Sequence, residues 1–219
     1  MAAPTTNDST SNEATIIVFA KAPEPGKVKT RLTSKLTPEQ AATLHQQLAL
    51  RTIAMATLST AAKVELWCAP NTKHDFFTHC TQNYPLTLHQ QVGDNLGQRM
   101  YNAISNVLTR SKHCLIIGTD CPQLTLPHLD NTFSLLSSEN DCVITPATDG
   151  GYVMLGLKQC DKKLFDNIEW GTDSVYETTL TRLQSLSWRW LPQPVLNDID
   201  RPSDLHLLRN IDLPAPISF

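Results

Sequence analysis

Residues 16–32 read IIVFAKAPEPGKVKTRL, and the order of parts in this stretch decides the fold. Ile16-Ile17-Val18-Phe19-Ala20 is an apolar, β-branched run and predicts a strand. The turn Pro23-Glu24-Pro25-Gly26 follows it, with two prolines that restrict the backbone and a glycine that frees it. Around that turn four cations, Lys21, Lys27, Lys29 and Arg31, crowd into eleven residues. Thr37-Pro38-Glu39-Gln40 then opens a helix. Thr37 is the N-cap, Pro38 takes the first helical position, and Gln40 stands where a capping box needs it. Strand, cationic loop and capped helix are the start of an α/β chain.

A loop of this kind suits a di- or triphosphate, because charge-assisted bonds from Lys and Arg are stronger than neutral ones. The stiff turn lowers the entropy lost on binding. The competing reading is a solvated basic surface loop, which is what charge runs usually are. Gly26-Lys27 does not make a P-loop. No glycine stands five positions earlier, and Val28 occupies the place of the required Ser or Thr.

The remaining composition sets this loop apart. A formal net charge of −3 gives no global reason to expect nucleic acid or an anionic membrane as partner, so the basic loop is a local feature. No apolar run approaches the ~20 residues of a membrane helix. Residues 1–14, MAAPTTNDSTSNEA, have neither a basic start nor an apolar centre; they read as a disordered tail rather than a signal peptide, leaving one domain over residues 15–219. The six cysteines include no C-x-x-C pair and no zinc spacing, which points to a reducing cytoplasm. Cys114 and Cys142 read as small core residues, and Cys121 as structural because no His is placed in sequence as its base.

Along the chain, strand and helix alternate. Strands are predicted at Lys63–Cys68, Leu86–Gln90, Cys114–Ile117, Cys142–Pro146, Tyr152–Leu157 and Trp188–Leu191. Helices are predicted from Pro38 to about Ser59, at Asn71–Gln82, Leu96–Arg110, Thr125–Ser137, near Leu164, at Asp173–Leu186 and after Pro202. Such alternation means a mostly parallel sheet with helices on both faces. The turn Asp149-Gly150-Gly151 joins its two strands like a hairpin, so one antiparallel element is expected. Ligands of these sheets collect at the carboxyl ends of the strands. The residues found there are the cationic loop, Asp120-Cys121-Pro122, Asp149-Gly150-Gly151 and Asp198-Ile199-Asp200. Cations for phosphate and carboxylates for a hard divalent cation thus converge on one edge. Singly, each Asp could be a helix cap, and Asp198 and Asp200 have the helix after Pro202 to cap. Asp120 fits that role poorly, since Thr125 is the better cap.

Five blocks, FAKAPEPGKVKTRL, IIGTDCPQL, ATDGGYVMLGL, WGTDSVYETTL and DIDRPSDL, follow in order the pattern of a bacterial family. Over residues 16–208 the chain resembles the GT-A-fold nucleotide-diphospho-sugar-transferase-like proteins, long of unknown function and often labelled arsenosugar biosynthesis glycosyltransferases. It is also similar to phospholactate guanylyltransferases and molybdenum cofactor nucleotidyltransferases. The resemblance implies a three-layer α/β/α Rossmann-like GT-A fold and a Mg (or Mn) dependence. It implies that Lys21, Gly26, Lys27, Lys29 and Arg31 bind nucleotide phosphates and that Asp120 and Asp200 hold the metal. Asp149, Gly150, Gly151, Trp170, Gly171, Thr172 and Asp173 would line the acceptor or donor-sugar pocket, with Asp149, on position alone, as the base that activates the acceptor. The expected partners are a nucleotide or nucleotide sugar and a small-molecule acceptor, with no nucleic acid and no membrane span. Glycosyl transfer leads. Nucleotidyl transfer from an NTP to a phosphorylated small molecule is the alternative, and a catalytically inactive nucleotide-binding regulator is the reading from another class. One departure stands out: Ala20-Lys21-Ala22-Pro23 lacks the glycines with which nucleotidyltransferases of this fold usually wrap the base.

Overall fold

The computed structural model describes residues 13–215. Seven strands form one sheet: β1 (Ala14–Lys21), β2 (Lys63–Ala69), β3 (Leu86–Gln90), β4 (His113–Ile117), β5 (Cys142–Pro146), β6 (Tyr152–Leu157) and β7 (Trp190–Pro192). Their order across the sheet is β3-β2-β1-β4-β6-β5-β7. Only β6 runs against its neighbours, pairing antiparallel with β4 and β5; the other pairs are parallel. The expected antiparallel element is therefore the second arm of the Asp149-Gly150-Gly151 turn. It lies inside the sheet rather than at its edge.

Five α-helices cover the two faces: α1 (Pro38–Thr57), α2 (Asp75–Asn83), α3 (Leu96–Leu108), α4 (Leu126–Ser137) and α5 (Val175–Ser185). One core cluster joins Ile16 and Val18 of β1 to α1 and α4; a second, on the opposite face, joins Ile17 of the same strand to Met100, Ile104 and Val107 of α3. β1 is buried on both faces because alternate side chains feed the two clusters. Cys114 and Cys142 are buried within them, as expected.

Most element bounds match the sequence reading, and the departures have local causes. The Thr37 capping box forms with both of its hydrogen bonds. β1 begins at Ala14, which is buried, so the tail ends earlier than residue 14; residues 1–12 of that expected tail lie outside the described residues. Helix α2 starts at Asp75 rather than Asn71. The Asn71 side chain accepts from the Lys73 amide at 2.8 Å, and the His74 ring accepts from the Phe76 amide, so a local turn replaces the first helical turn. β7 starts at Trp190 rather than Trp188. Ser187 is left-handed (φ 56°) and Trp188 donates to Leu183 at 3.1 Å, so both residues belong to the end of α5. The last helix, Pro202–Asn210, is a 3₁₀ helix. Its Leu205, Leu207 and Leu208 pack on Leu32, Leu44, Leu48 and Ile199. The C-terminal segment is thereby held against the loop that follows β1.

Candidate functional site

Three segments far apart in sequence meet at the carboxyl end of β1, and Lys29 joins them. Lys29 sits in the left-handed region (φ 50°, ψ 34°), and its side chain is only 2% exposed. Its ammonium lies 2.8 Å from Asp120 Oδ1, just past β4, and donates to the carbonyl of Ile199, just past β7. The Ile199 amide donates in turn to the Asp120 carbonyl at 2.9 Å. Arg31, two residues on, pairs with the Asp200 carboxylate. A non-glycine residue held left-handed costs about 1–2 kcal/mol, which the buried ion pair must offset.

His45 of α1 completes this junction. Its Nε2 lies 3.1 Å from the Lys21 carbonyl, so it carries the proton, and its Nδ1 is 3.8 Å from Asp120 Oδ1. Burial opposes ionisation of Asp120, but the Lys29 ammonium, joined by His45 when its ring is protonated, outweighs it and holds the carboxyl well below the usual carboxylate range. Oδ1 is buried while the side chain as a whole is 44% exposed, so the open part of the carboxylate is Oδ2.

All four loop cations line one cleft of about 460 Å³ together with Asp120 and Asp200. They are not equivalent there. Lys29 points inward, onto Asp120 and the Ile199 carbonyl. Lys27 is 73% exposed and folds back on Glu24 at 2.6 Å. Lys21 is exposed and also lines a neighbouring cavity of about 310 Å³ with Lys27, Gln91 and Arg99. Gln91 lines both spaces; its amide donates to the Ala20 and Trp67 carbonyls, leaving its oxygen as an acceptor. Gly26 adopts φ +76° at the tip of the turn, as a loop glycine should.

Two further cavities adjoin this cleft and share Asp149, Gly171 and Thr172 with each other. The first, about 240 Å³, is lined by Phe19, Met100, Tyr152 and Trp170 among others. The second, about 440 Å³, is lined by Asp149, Asp173, Asp198, Asp200 and Asp204 against Arg31 and Arg201. Asp149 Oδ1 accepts from the Gly151 amide at 2.9 Å. Gly150 (φ +88°) packs so closely on the segment after β6 that a Cβ would lie 2.2 Å from the Asp173 carbonyl oxygen. Trp170 meets the Tyr152 ring edge-on at 6.3 Å. The turn and the Trp170–Asp173 segment thus form one wall.

Sequence reasoning placed Asp198 among the strand-end carboxylates, with a helix cap as its competing role, and missed its electrostatic place. Burial first, then Asp149 and Asp120, push its carboxyl up to about 6. Nor does either Asp cap the last helix: the Asp204 side chain accepts from the Asp200 and Arg201 amides. His45, Gln91 and Arg99 were also missed. Each lies inside an ordinary helix or loop pattern, with no local signal to single it out. Cys121 is buried and its thiol is pushed up to about 11, so it is no nucleophile.

The donor set fits a hard cation. Crowded carboxylates, with Asp120 Oδ2 open and Asp198 raised by burial and then by the neighbouring Asp149 and Asp120, are what such a cation relieves. Among the described residues no group of three or more His, Cys, Asp or Glu forms a ready cage. Mg²⁺ needs none, since it usually binds through one or two carboxylates and substrate phosphates.

Residues 52–172 match a family described as "uncharacterized protein conserved in bacteria" (DUF2064). No curated protein matches the chain. In three dimensions it is similar to a protein of Desulfovibrio desulfuricans G20 provisionally assigned as a nucleotide-diphospho-sugar transferase. That likeness has a TM-score of 0.82 and 28% identity, covering 90% of this chain and 87% of that one. It is also similar to 4-diphosphocytidyl-2C-methyl-D-erythritol synthase of Anaerococcus prevotii (TM-score 0.57, 11% identity, 90% and 94% covered). A third is a manganese complex of Rv0371c from Mycobacterium tuberculosis (0.51, 15%, 90% and 97%). At these last two identities the likeness shows the fold alone.

Proposed function

The chain is a member of the bacterial DUF2064 family, and from that premise we propose that it is a divalent-metal-dependent transferase taking a nucleotide sugar as donor and a small molecule as acceptor. The observation that carries this reading is the single cleft that gathers Lys21, Lys27 and Arg31 beside Asp120 and Asp200. The likeness to the Desulfovibrio protein supports the transferase class.

Lys21, Lys27 and Arg31 bind the donor diphosphate; Arg31 exchanges its Asp200 partner for a phosphate oxygen, and Lys29 keeps Asp120 in place. Asp120 and Asp200, with Asp198 beside them, are the residues to hold the metal. Bound there, a Mg²⁺ or Mn²⁺ ion supplies stabilisation of the charge that grows on the departing diphosphate. Asp149 takes the proton of the acceptor hydroxyl as that oxygen bonds to the anomeric carbon. The carbon–oxygen bond to the nucleotide breaks, and the nucleoside diphosphate leaves with the bond's electron pair. All six cysteines are free thiols, which supports a reducing, cytoplasmic setting.

Nucleotidyl transfer is the second reading, favoured by the fold shared with a cytidylyltransferase of Leptospira borgpetersenii and an inositol-1-phosphate CTP transferase of T. maritima. The test is thermal denaturation with CTP, UTP, GTP, ATP and UDP-glucose, with and without Mg²⁺, followed by analysis of released products. Metal-dependent stabilisation by a nucleotide is expected, and Arg31→Ala should weaken that binding by about 1.5–3 kcal/mol. Release of nucleoside diphosphate supports glycosyl transfer, and release of pyrophosphate the alternative. A protein that no nucleotide stabilises is not such a transferase.

A further inference from the structure

The two cavities that meet at Asp149 carry information about the acceptor. The smaller one is built from the carboxyl end of β1 (Phe19), α3 (Leu96, Met100), β6 (Tyr152) and the loop bearing Trp170. Among the described residues that line it, Asp149 is the only charged one. It adjoins the cationic cleft, with which it shares Phe19, Leu96 and Gly118. Its volume of about 240 Å³ is below the ~300–1,000 Å³ of pockets for drug-sized ligands, so its occupant is small. The larger neighbouring cavity is acidic, and two of its five aspartates, Asp198 and Asp200, belong to the carboxylates assigned to the metal.

We infer that the acceptor is an uncharged small molecule with an apolar or aromatic body and a hydroxyl group, and that phosphomonoesters are excluded. The inference rests on the reading of the cationic cleft as the nucleotide site. An aromatic or aliphatic body would bury against Phe19, Met100 and Trp170, with its hydroxyl at Asp149, where this cavity meets the acidic one. A phosphomonoester placed there would bring a dianion beside Asp149 with no cation in the wall to balance it. Both desolvation and like-charge repulsion oppose that. The nucleotidyl alternative with a phosphorylated acceptor would need a cation in this wall.

The test uses the full chain and a matched pair of probes, 4-ethylphenol and 4-ethylphenyl phosphate, followed by saturation-transfer NMR. A Trp in place of Leu96, which is half-exposed at the cavity mouth, blocks the cavity without disturbing the core; Met100→Trp fills it from inside. The phenol should bind the wild type and weaken at least about tenfold, or 1.4 kcal/mol, in Leu96→Trp. The phosphate ester should bind more weakly, and any binding it keeps should be displaced by inorganic phosphate and unaffected by Met100→Trp. An ester that binds as well as the phenol and is lost in both variants overturns the inference. So does a cavity that takes methyl β-D-glucopyranoside but not the phenol, which would make it the donor sugar's place. Nucleotide stabilisation, read separately on the same protein, tells the two failures apart. Nucleotide binding with an ester-preferring cavity sinks only this inference, whereas a protein that binds no nucleotide sinks the transferase reading and this inference with it.

Discussion

Lys29 shows what a single side chain contributes. Its ammonium is buried against Asp120, and breaking a buried pair from one side typically costs about 3–5 kcal/mol. Because Asp120 is 44% exposed, Lys29→Met should cost less, about 2–3 kcal/mol, measured by urea denaturation. The double variant Lys29→Met/Asp120→Asn should lose clearly less than the sum of the two single losses; additive losses would mean that the pair does not act as one unit. Asp198 and Asp120 should respond to pH in opposite directions. The folded pKa of Asp120 is lowered, so its contribution is present above the unfolded value of about 4 and is lost as pH falls. The folded pKa of Asp198 is raised to about 6, so its contribution is present below about 4 and is lost as pH rises through 6. Asp198→Asn should therefore raise stability at pH 8, by about 1–3 kcal/mol, and change little at pH 4. Equal effects at both pH values would show that Asp198 is not raised.

At the scale of elements, the turn between β5 and β6 is the tightest joint in the site. Gly150 needs both its positive φ and the missing Cβ, because the Asp173 backbone presses on it. The Tyr176 amide also donates to the Gly150 carbonyl at 2.8 Å, tying α5 to the turn. Gly150→Ala should cost about 2–4 kcal/mol from the backbone penalty and the clash together. It should also alter the near-ultraviolet circular dichroism of Trp170, since the wall carrying that ring must move. Unchanged stability would place no close approach there. Such joints are only half legible in sequence. Asp-Gly-Gly announces a turn, but which distant backbone it touches depends on how the sheet is threaded.

For the whole molecule, the carboxyl edge is held closed by its own charges, with Lys29 on Asp120 and Arg31 on Asp200. A chelator should therefore leave the melting temperature of the ligand-free protein unchanged. It should abolish the stabilisation given by nucleotide, which at a hundred times Kd amounts to about 2.7 kcal/mol. A chelator that lowers the melting point of the free protein would instead make the metal structural. The sequence by itself determined the strands up to small shifts of bounds, the Thr37 helix start, the parallel sheet with its antiparallel turn, and the sheet edge at which the candidate residues gather. Those features follow from side-chain periodicity, capping and turn chemistry, all local within a few residues. Only the tertiary structure decided that Lys29 faces inward, that Asp198 is raised, and that an apolar cavity and an acidic one meet at Asp149. The reason is physical: Lys29 meets a carbonyl 170 positions away. A charge reads the same in sequence whether it turns to water or to a buried carboxylate, and burial and neighbouring charge belong to the folded chain alone.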